Sequence, residues 1–147
     1  MGCQTACAKR QNGGMILTEI DHVAIAVRDL EAAIEYYRAA FGAEVHHREI
    51  VESDHVEEAL IKVADSYIQL TAATSPESPI AKSIEKRGEG LHHVGYRVDD
   101  CAAALEAMVA AGATPIDKAP RPGSRGTTVA FVHPKGSFGT LIELVQE

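Results

Sequence analysis

An internal repeat restricts the fold of this chain more than any other feature of the sequence. The segment Ile20–Val27 (IDHVAIAV) is echoed by Leu91–Val98 (LHHVGYRV) at a constant shift of 71 positions. Asp29 and Asp100 follow the two segments at the same shift, and each precedes a run of apolar residues at helical spacing. Self-similarity of this kind indicates two copies of one supersecondary unit.

Each copy predicts a strand, a helix and three further strands. Asp29 and Asp100 suit helix N-caps, while Gly42 and Gly112 suit the positions just after a helix. Apolar spacing predicts helices over 30–41 and 101–111. Short β-rich runs follow, and they cover 44–51, 56–63 and 66–72 in the first copy and 114–117, 127–132 and 140–145 in the second. Both copies therefore have the pattern βαβββ.

The two copies are expected to form one α+β domain over 17–147, with module one at 17–74, a linker helix at 78–88 and module two at 90–147. A module of about 55 residues cannot easily bury its own sheet and helix. Two four-stranded, curved mixed sheets are therefore predicted side by side, with the helices outside. Their concave inner face is the kind of surface on which small-molecule sites form. Residues 1–16 are polar and aperiodic, so we expect a flexible leader there.

Charge and cysteine content exclude several classes of partner. A net charge of −7 argues against nucleic-acid binding, because an acidic chain repels the phosphate backbone. No apolar run approaches the roughly 20 residues of a membrane span. The three cysteines, Cys3, Cys7 and Cys101, are an odd number and suit a reducing compartment. The chain is therefore expected to be cytoplasmic, with neither a nucleic-acid nor a membrane partner.

Strand alternation places four polar residues on the predicted inner face. His92 shares the helix side of its strand with Val94, so the register selects the neighbouring histidine for the inner face. The inner residues are His22, Gln69, His93 and Glu143, two from each module at repeat-equivalent positions. Two imidazoles, a carboxylate and an amide oxygen suit a divalent ion such as Co²⁺, Ni²⁺, Mn²⁺ or Zn²⁺. The alternative is that all four are satisfied polar residues on a half-exposed sheet.

A fifth polar residue is predicted to point inward from the third strand of module one. Ala59 and Ile61 take the helix side there, which leaves Glu58 facing inward beside Leu60. A carboxylate on an apolar wall is costly unless it is paired or has a function. A salt bridge at the rim is the alternative interpretation.

Basic residues gather in one loop region of this acidic chain. The segment 121–126 (RPGSRG) and the turn 133–136 (HPKG) offer positive charge and backbone N–H groups to a phosphate or a carboxylate. The candidate anion-binding residues are Arg121, Ser124, Arg125, His133 and Lys135. A solvated loop without a ligand would explain the same composition.

Five segments together resemble a known family. They are Ile20–Val27, Gly88–Val94 (GEGLHHV), Arg121–Ser124 (RPGS), Phe131–Lys135 (FVHPK) and Leu141–Leu144 (LIEL). They resemble the methylmalonyl-CoA epimerase family of the vicinal oxygen chelate superfamily, and the likeness runs from about residue 17 to residue 145. The resemblance implies the glyoxalase-like fold of that superfamily and a homodimer.

The resemblance also implies a reaction and roles for the inner-face residues. The implied reaction is epimerisation of (2R)- and (2S)-methylmalonyl-CoA at C2 through a metal-stabilised enolate, with an acyl-CoA as the substrate. His22, Gln69, His93 and Glu143 are the implied ligands of a divalent metal, with Co²⁺ the expected ion. Glu58 is the implied catalytic base, and Glu143 is its proposed counterpart.

Two alternative functions stay open. A glyoxalase-like enzyme or an extradiol dioxygenase would place other chemistry on the same scaffold, although a fourth ligand at Gln69 departs from the three-ligand set of a dioxygenase. A metal-free small-molecule binding protein is the alternative from a different class. Such a protein would not need His22, His93 and Glu143 together.

Overall fold

The computed structural model describes residues 14–147. The elements are β1 (Leu17–Ala26), α1 (Leu30–Phe41), β2 (Val45–Val51), β3 (Val56–Val63), β4 (Ser66–Ala73), α2 (Pro79–Arg87), β5 (Gly90–Val98), α3 (Cys101–Ala110), β6 (Arg121–Pro122), β7 (Thr128–Val132) and β8 (Ile142–Gln146). The first 13 residues of the predicted leader, with Cys3 and Cys7, lie outside the described residues. Within the described range, no helix has the length and apolar character that a membrane crossing requires.

The strands form a single mixed sheet of eight, in the order β2-β3-β4-β1-β5-β8-β7-β6. β1 pairs in parallel with β4, and β5 does so with β8, as two copies of one module require. The two four-stranded sheets expected side by side join into one continuous sheet, because β1 and β5 pair with each other in antiparallel orientation. In that pairing Val23 lies opposite Val94, its own repeat equivalent. The pseudo-twofold axis therefore passes through the centre of the sheet.

Helices α1 and α3 cover the convex face of the sheet and close the two main apolar cores. The linker helix α2 lies on the other side, where Ile80 packs against Ala26 and Val56 and lines the cavity described below. Asp29 accepts a hydrogen bond from the backbone of Ala32, and Asp100 does so from Ala103, both at 3.0 Å. Their predicted role as N-caps is therefore confirmed. One core joins α1 to β3 and β4, and the other joins α3 to β5, β7 and β8. This packing aims the opposite, concave face of every strand at a shared interior.

Module two is less regular than its sequence predicted. The strand expected at 114–117 is absent there, and an isolated bridge between Pro115 and Val132 takes its place. The edge strand is the two-residue β6. Prolines at positions 115, 120 and 122 remove backbone donors from this segment, so it cannot form a continuous ladder.

Candidate active site

The concave face holds a cavity lined by residues from both modules. Among its buried polar lining residues are five that reach it from five strands: His22, Glu58, Gln69, His93 and Glu143. β1, β3 and β4 supply the first three, and β5 and β8 supply the last two. The structure therefore brings together the five polar residues that strand alternation had placed on the inner face.

His22, His93 and Glu143 form a tight cluster in this cavity. The Nε2 atoms of the two histidines lie 3.0 Å apart, and Oε1 of Glu143 lies 2.9 Å from Nε2 of His22 and 3.1 Å from Nε2 of His93. Ligand atoms held about 2.1 Å from one ion, at right angles to each other, would stand about 3 Å apart. The donor types and the spacing therefore fit a divalent cation.

Asp21 fixes the orientation of the first histidine. Its carboxylate, which is 0% exposed, accepts a hydrogen bond from Nδ1 of His22 at 2.7 Å. Arg97 and Arg125 donate to the same carboxylate at 2.7 and 2.8 Å. Burial by itself would raise the pKa of Asp21, but the hydrogen bonds from His22 and Arg97 hold it below its usual value. Sequence reasoning missed this residue, although an acidic residue directly before a candidate ligand was a signal for it.

His92 was predicted on the helix side, and this prediction was wrong. Its ring lines the cavity, and its Nδ1 lies 2.8 Å from Nδ1 of His93. The reason is a β-bulge, since Ala24 pairs with His93 but Ile25 pairs with Leu91, which leaves His92 as an extra residue. A bulge breaks the alternation on which the prediction depended. Burial lowers the pKa of His92 to about 4, so its ring is neutral at pH 7.

The cluster has strongly shifted acid–base properties. Burial alone would lower the pKa of His22, but hydrogen bonds with Asp21 and Glu143 raise it to about 9. Burial also opposes ionisation of Glu143, yet its contacts with His22 and His93 hold its pKa far below the usual range. Glu143 is therefore an anion, and it favours positive charge at the point where the three side chains meet.

Glu58 lies in the same cavity, outside this cluster. The amide nitrogen of Gln69 donates to Oε2 of Glu58 and, at 3.0 Å, to Oγ1 of Thr71. Burial, together with the negative charge of Glu143, raises the pKa of Glu58 to about 7, although the Ser124 side chain opposes the shift. A carboxylate with this pKa can accept and release a proton near neutrality.

The two arginines of the predicted anion-binding loop reach the cavity wall, but each is already paired with carboxylates. Arg121 pairs with Asp54 at 3.1 Å and with Asp117 at 3.0 Å. Arg125 pairs with Asp21, as described above. The loop therefore supplies less uncompensated positive charge than its composition indicated.

The other three residues of that prediction are divided between two places. Ser124 lines the cavity near Glu58. His133 and Lys135 are exposed on the loop after β7, where Nδ1 of His133 accepts a hydrogen bond from the backbone of Lys135. Neither belongs to the cavity lining.

A family model matches residues 21–131 of this chain. It describes the glyoxalase/bleomycin resistance protein/dioxygenase superfamily. The matched range includes His22, Glu58, Gln69 and His93 and ends before Glu143.

Individual proteins of known name are also similar over nearly their whole length. The ethylmalonyl-CoA/methylmalonyl-CoA epimerase of Cereibacter sphaeroides is 40% identical over 134 residues, which cover 89% of this chain and 99% of the relative. A methylmalonyl-CoA epimerase solved with methylmalonyl-CoA and NH₄⁺ is 40% identical, with a TM-score of 0.86 and coverage of 89% and 95%. A Streptomyces coelicolor methylmalonyl-CoA epimerase variant, solved with 2-nitronate-propionyl-CoA, is 39% identical, with a TM-score of 0.86 and coverage of 89% and 98%.

Proposed function

Because this chain belongs to the glyoxalase/bleomycin resistance protein/dioxygenase superfamily and, within it, to the methylmalonyl-CoA epimerase family, we propose that it interconverts (2R)- and (2S)-methylmalonyl-CoA. One observation carries this proposal. A buried carboxylate with a pKa near neutrality, that of Glu58, shares a cavity with a His-His-Glu cluster that fits a divalent cation. Epimerisation at C2 needs both a base and stabilisation of the enolate.

Glu58 is the proposed base. Its Oε1 has no hydrogen-bond partner among the described residues, while Oε2 accepts from Gln69. The free oxygen can therefore take the C2 proton, and the bond to Gln69 holds the carboxylate in place. A group on the opposite face must then deliver a proton to C2, which inverts the centre. Glu58 can release the proton that it took because its pKa lies near neutrality.

The proposed ligands of a divalent cation are Nε2 of His22, Nε2 of His93 and Oε1 of Glu143. Gln69 would add its amide oxygen, because its amide nitrogen is committed to Glu58 and Thr71. When bound, the cation supplies Lewis-acid stabilisation of negative charge on the substrate oxygens. Co²⁺ is the ion we expect, and Ni²⁺, Mn²⁺ and Zn²⁺ suit the same donor set.

Glu143 is a weaker candidate for the second acid–base group. Its Oε1 faces the imidazoles of both His22 and His93, and those contacts lower its pKa strongly. A carboxylate stabilised in this way holds a proton poorly. We therefore assign it mainly to the metal site, and its role opposite Glu58 stays a prediction.

The substrate is proposed to enter as an acyl-CoA thioester with its acyl group in the cavity. Among the residues that line the cavity, the candidates for binding the acyl-CoA are Arg121, Ser124 and Arg125. His133 and Lys135 stay predictions for the phosphates of the CoA moiety. A homodimer is expected from the resemblance and also stays a prediction.

The proposal is tested by loading the protein separately with Co²⁺, Ni²⁺, Mn²⁺ or Zn²⁺ and adding (2S)-methylmalonyl-CoA. With at least one of these metals, we expect conversion to an equilibrium mixture of epimers. The conversion is monitored by circular dichroism. Protein treated with a chelator is the control and should be inactive. If no metal supports conversion in protein that holds stoichiometric metal, the function belongs to another branch of the superfamily.

A further inference from the structure

We propose that His92 is a positioning residue for His93, and that it does for module two what Asp21 does for module one. Each residue would hold Nδ1 of the following histidine, so that Nε2 faces the cation. This inference rests on the proposed metal site and assigns roles to two residues that are not ligands.

The repeat places the two positioning residues at equivalent positions. The shift of 71 that relates His22 to His93 also relates Asp21 to His92. The contacts are equivalent as well, because Nδ1 of His22 lies 2.7 Å from Asp21 and Nδ1 of His93 lies 2.8 Å from His92. The chemistry differs, since one module uses a carboxylate and the other an imidazole.

The backbone brings both side chains into place by the same means. In the pairing of β1 with β5, Ile20 lies opposite Tyr96 and His22 opposite Gly95, which leaves Asp21 as an extra residue on β1. The bulge at His92 on β5 is its repeat equivalent. Bulges re-aim side chains, and here each bulge turns the residue before a ligand toward the ring of that ligand. Two equivalent irregularities at the same functional position indicate a shared role.

Hydrogen-bond chemistry then fixes the tautomers of the histidine pair. A nitrogen that binds a cation must present a lone pair, so His93 ligating through Nε2 carries its proton on Nδ1. That proton is donated to Nδ1 of His92. His92 must accept at this position, and its own proton therefore sits on Nε2. Only a side chain with an acceptor near Nδ1 can replace it.

Two substitutions of similar polarity separate this role from simple packing. His92→Asn places an amide oxygen near the position of Nδ1, whereas His92→Gln places its amide near the position of Nε2. The affinity for Co²⁺ alone is measured by competition with a chelator, together with the visible spectrum of the bound ion. The unfolding temperature of each metal-free protein is the control for folding.

We expect His92→Gln to weaken Co²⁺ binding by about 10- to 100-fold, as loss of an outer partner of a metal ligand typically does. His92→Asn should recover most of that loss and keep the wild-type spectrum. Asp21→Asn, which removes the charge but keeps an acceptor, should weaken binding less than Asp21→Leu. Equal Co²⁺ affinity in His92→Gln and wild type would overturn the inference, and so would equally weak binding in His92→Asn and His92→Gln.

The same assay separates this inference from the proposed function, because it contains no thioester. Wild-type protein that shows the expected affinity pattern but does not epimerise methylmalonyl-CoA would contradict the proposed function alone. Active wild-type protein whose Co²⁺ affinity is insensitive to His92 would contradict this inference alone. Wild-type protein that does not bind Co²⁺ would overturn this inference as well.

Discussion

The amide nitrogen of Gln69 donates a hydrogen bond to Oε2 of Glu58, while Oε1 of the same carboxylate has no hydrogen-bond partner among the described residues. One oxygen is therefore anchored by Gln69, and the other accepts no hydrogen bond of normal geometry, although the Ser124 side chain lies close enough to the carboxylate to oppose the rise in its pKa. A buried carboxylate is rarely left half-satisfied without a reason. In our account, the reason is proton transfer at C2 of the substrate.

The first prediction concerns the base itself. Glu58→Gln keeps the size of the side chain but cannot take a proton, so turnover should fall by about 10²- to 10⁴-fold while metal binding is retained. Steady-state kcat and metal content are measured on the same samples. Glu57→Gln is the matched control, because Glu57 lies on the same strand and pairs with Arg48 outside the cavity. Near wild-type turnover in Glu58→Gln would reject the assignment.

The pH dependence of kcat/KM gives the second prediction. Glu58 acts in its deprotonated form, so activity should fall as the pH is lowered through its pKa. Burial raises that pKa from 4.5 to about 7 in the absence of a cation, and a nearby cation draws it back down. We therefore expect the acid limb between these two values. An identical limb in the residual activity of Glu58→Gln would show that another group titrates.

The third prediction concerns the metal ligands. His93→Ala removes one of three converging donors, and it should therefore lose metal and activity together. Metal content after dialysis is measured by mass spectrometry. His47→Ala is the matched control, because His47 pairs with Glu49 and does not line this cavity. Stoichiometric metal in His93→Ala would transfer the ligand role to another residue, with His92 the nearest candidate.

The fourth prediction uses the absence of a side chain at Gly95. A Cβ atom at this position would collide with the imidazole ring of His22. Gly95→Ala should therefore displace that ring and weaken Co²⁺ binding, by an amount comparable to loss of an outer partner of a ligand, about 10- to 100-fold. Co²⁺ titration measures the effect, and unfolding of the metal-free protein reports any general loss of stability. Unchanged affinity would mean that the ring adapts without loss of the site.

Much of the fold could be predicted because the repeat and the strand alternation agree. The N-cap residues Asp29 and Asp100 predicted where α1 and α3 begin. Strand alternation placed Glu58 and Gln69 on the concave face, where the structure has them. Both kinds of signal are local, and the duplication supplies each of them twice. The short β6 was not predicted. Prolines weaken strand pairing to a degree that depends on the neighbouring strand, which the local sequence does not show.

The residues around the ligands were harder to predict for a physical reason. A bulge has no distinct sequence pattern, so strand alternation could not show that Asp21 and His92 face the two ligand rings. The acidic residue type at position 21 was the one local signal. The pairing of Arg125 with Asp21 joins residues 104 positions apart, and composition alone indicated a free cation at Arg125 instead. Contacts of this kind depend on how the two modules join, which the sequence of neither module contains.

Exchange of the C2 proton of methylmalonyl-CoA in D₂O tests the central claim most directly. Deuterium incorporation is followed by mass spectrometry in metal-loaded wild type, in chelator-treated wild type and in Glu58→Gln, which also controls for spontaneous exchange. We expect fast incorporation in the metal-loaded wild type and background rates in the other two. Background rates in wild type that holds stoichiometric metal would contradict enolate chemistry at this site.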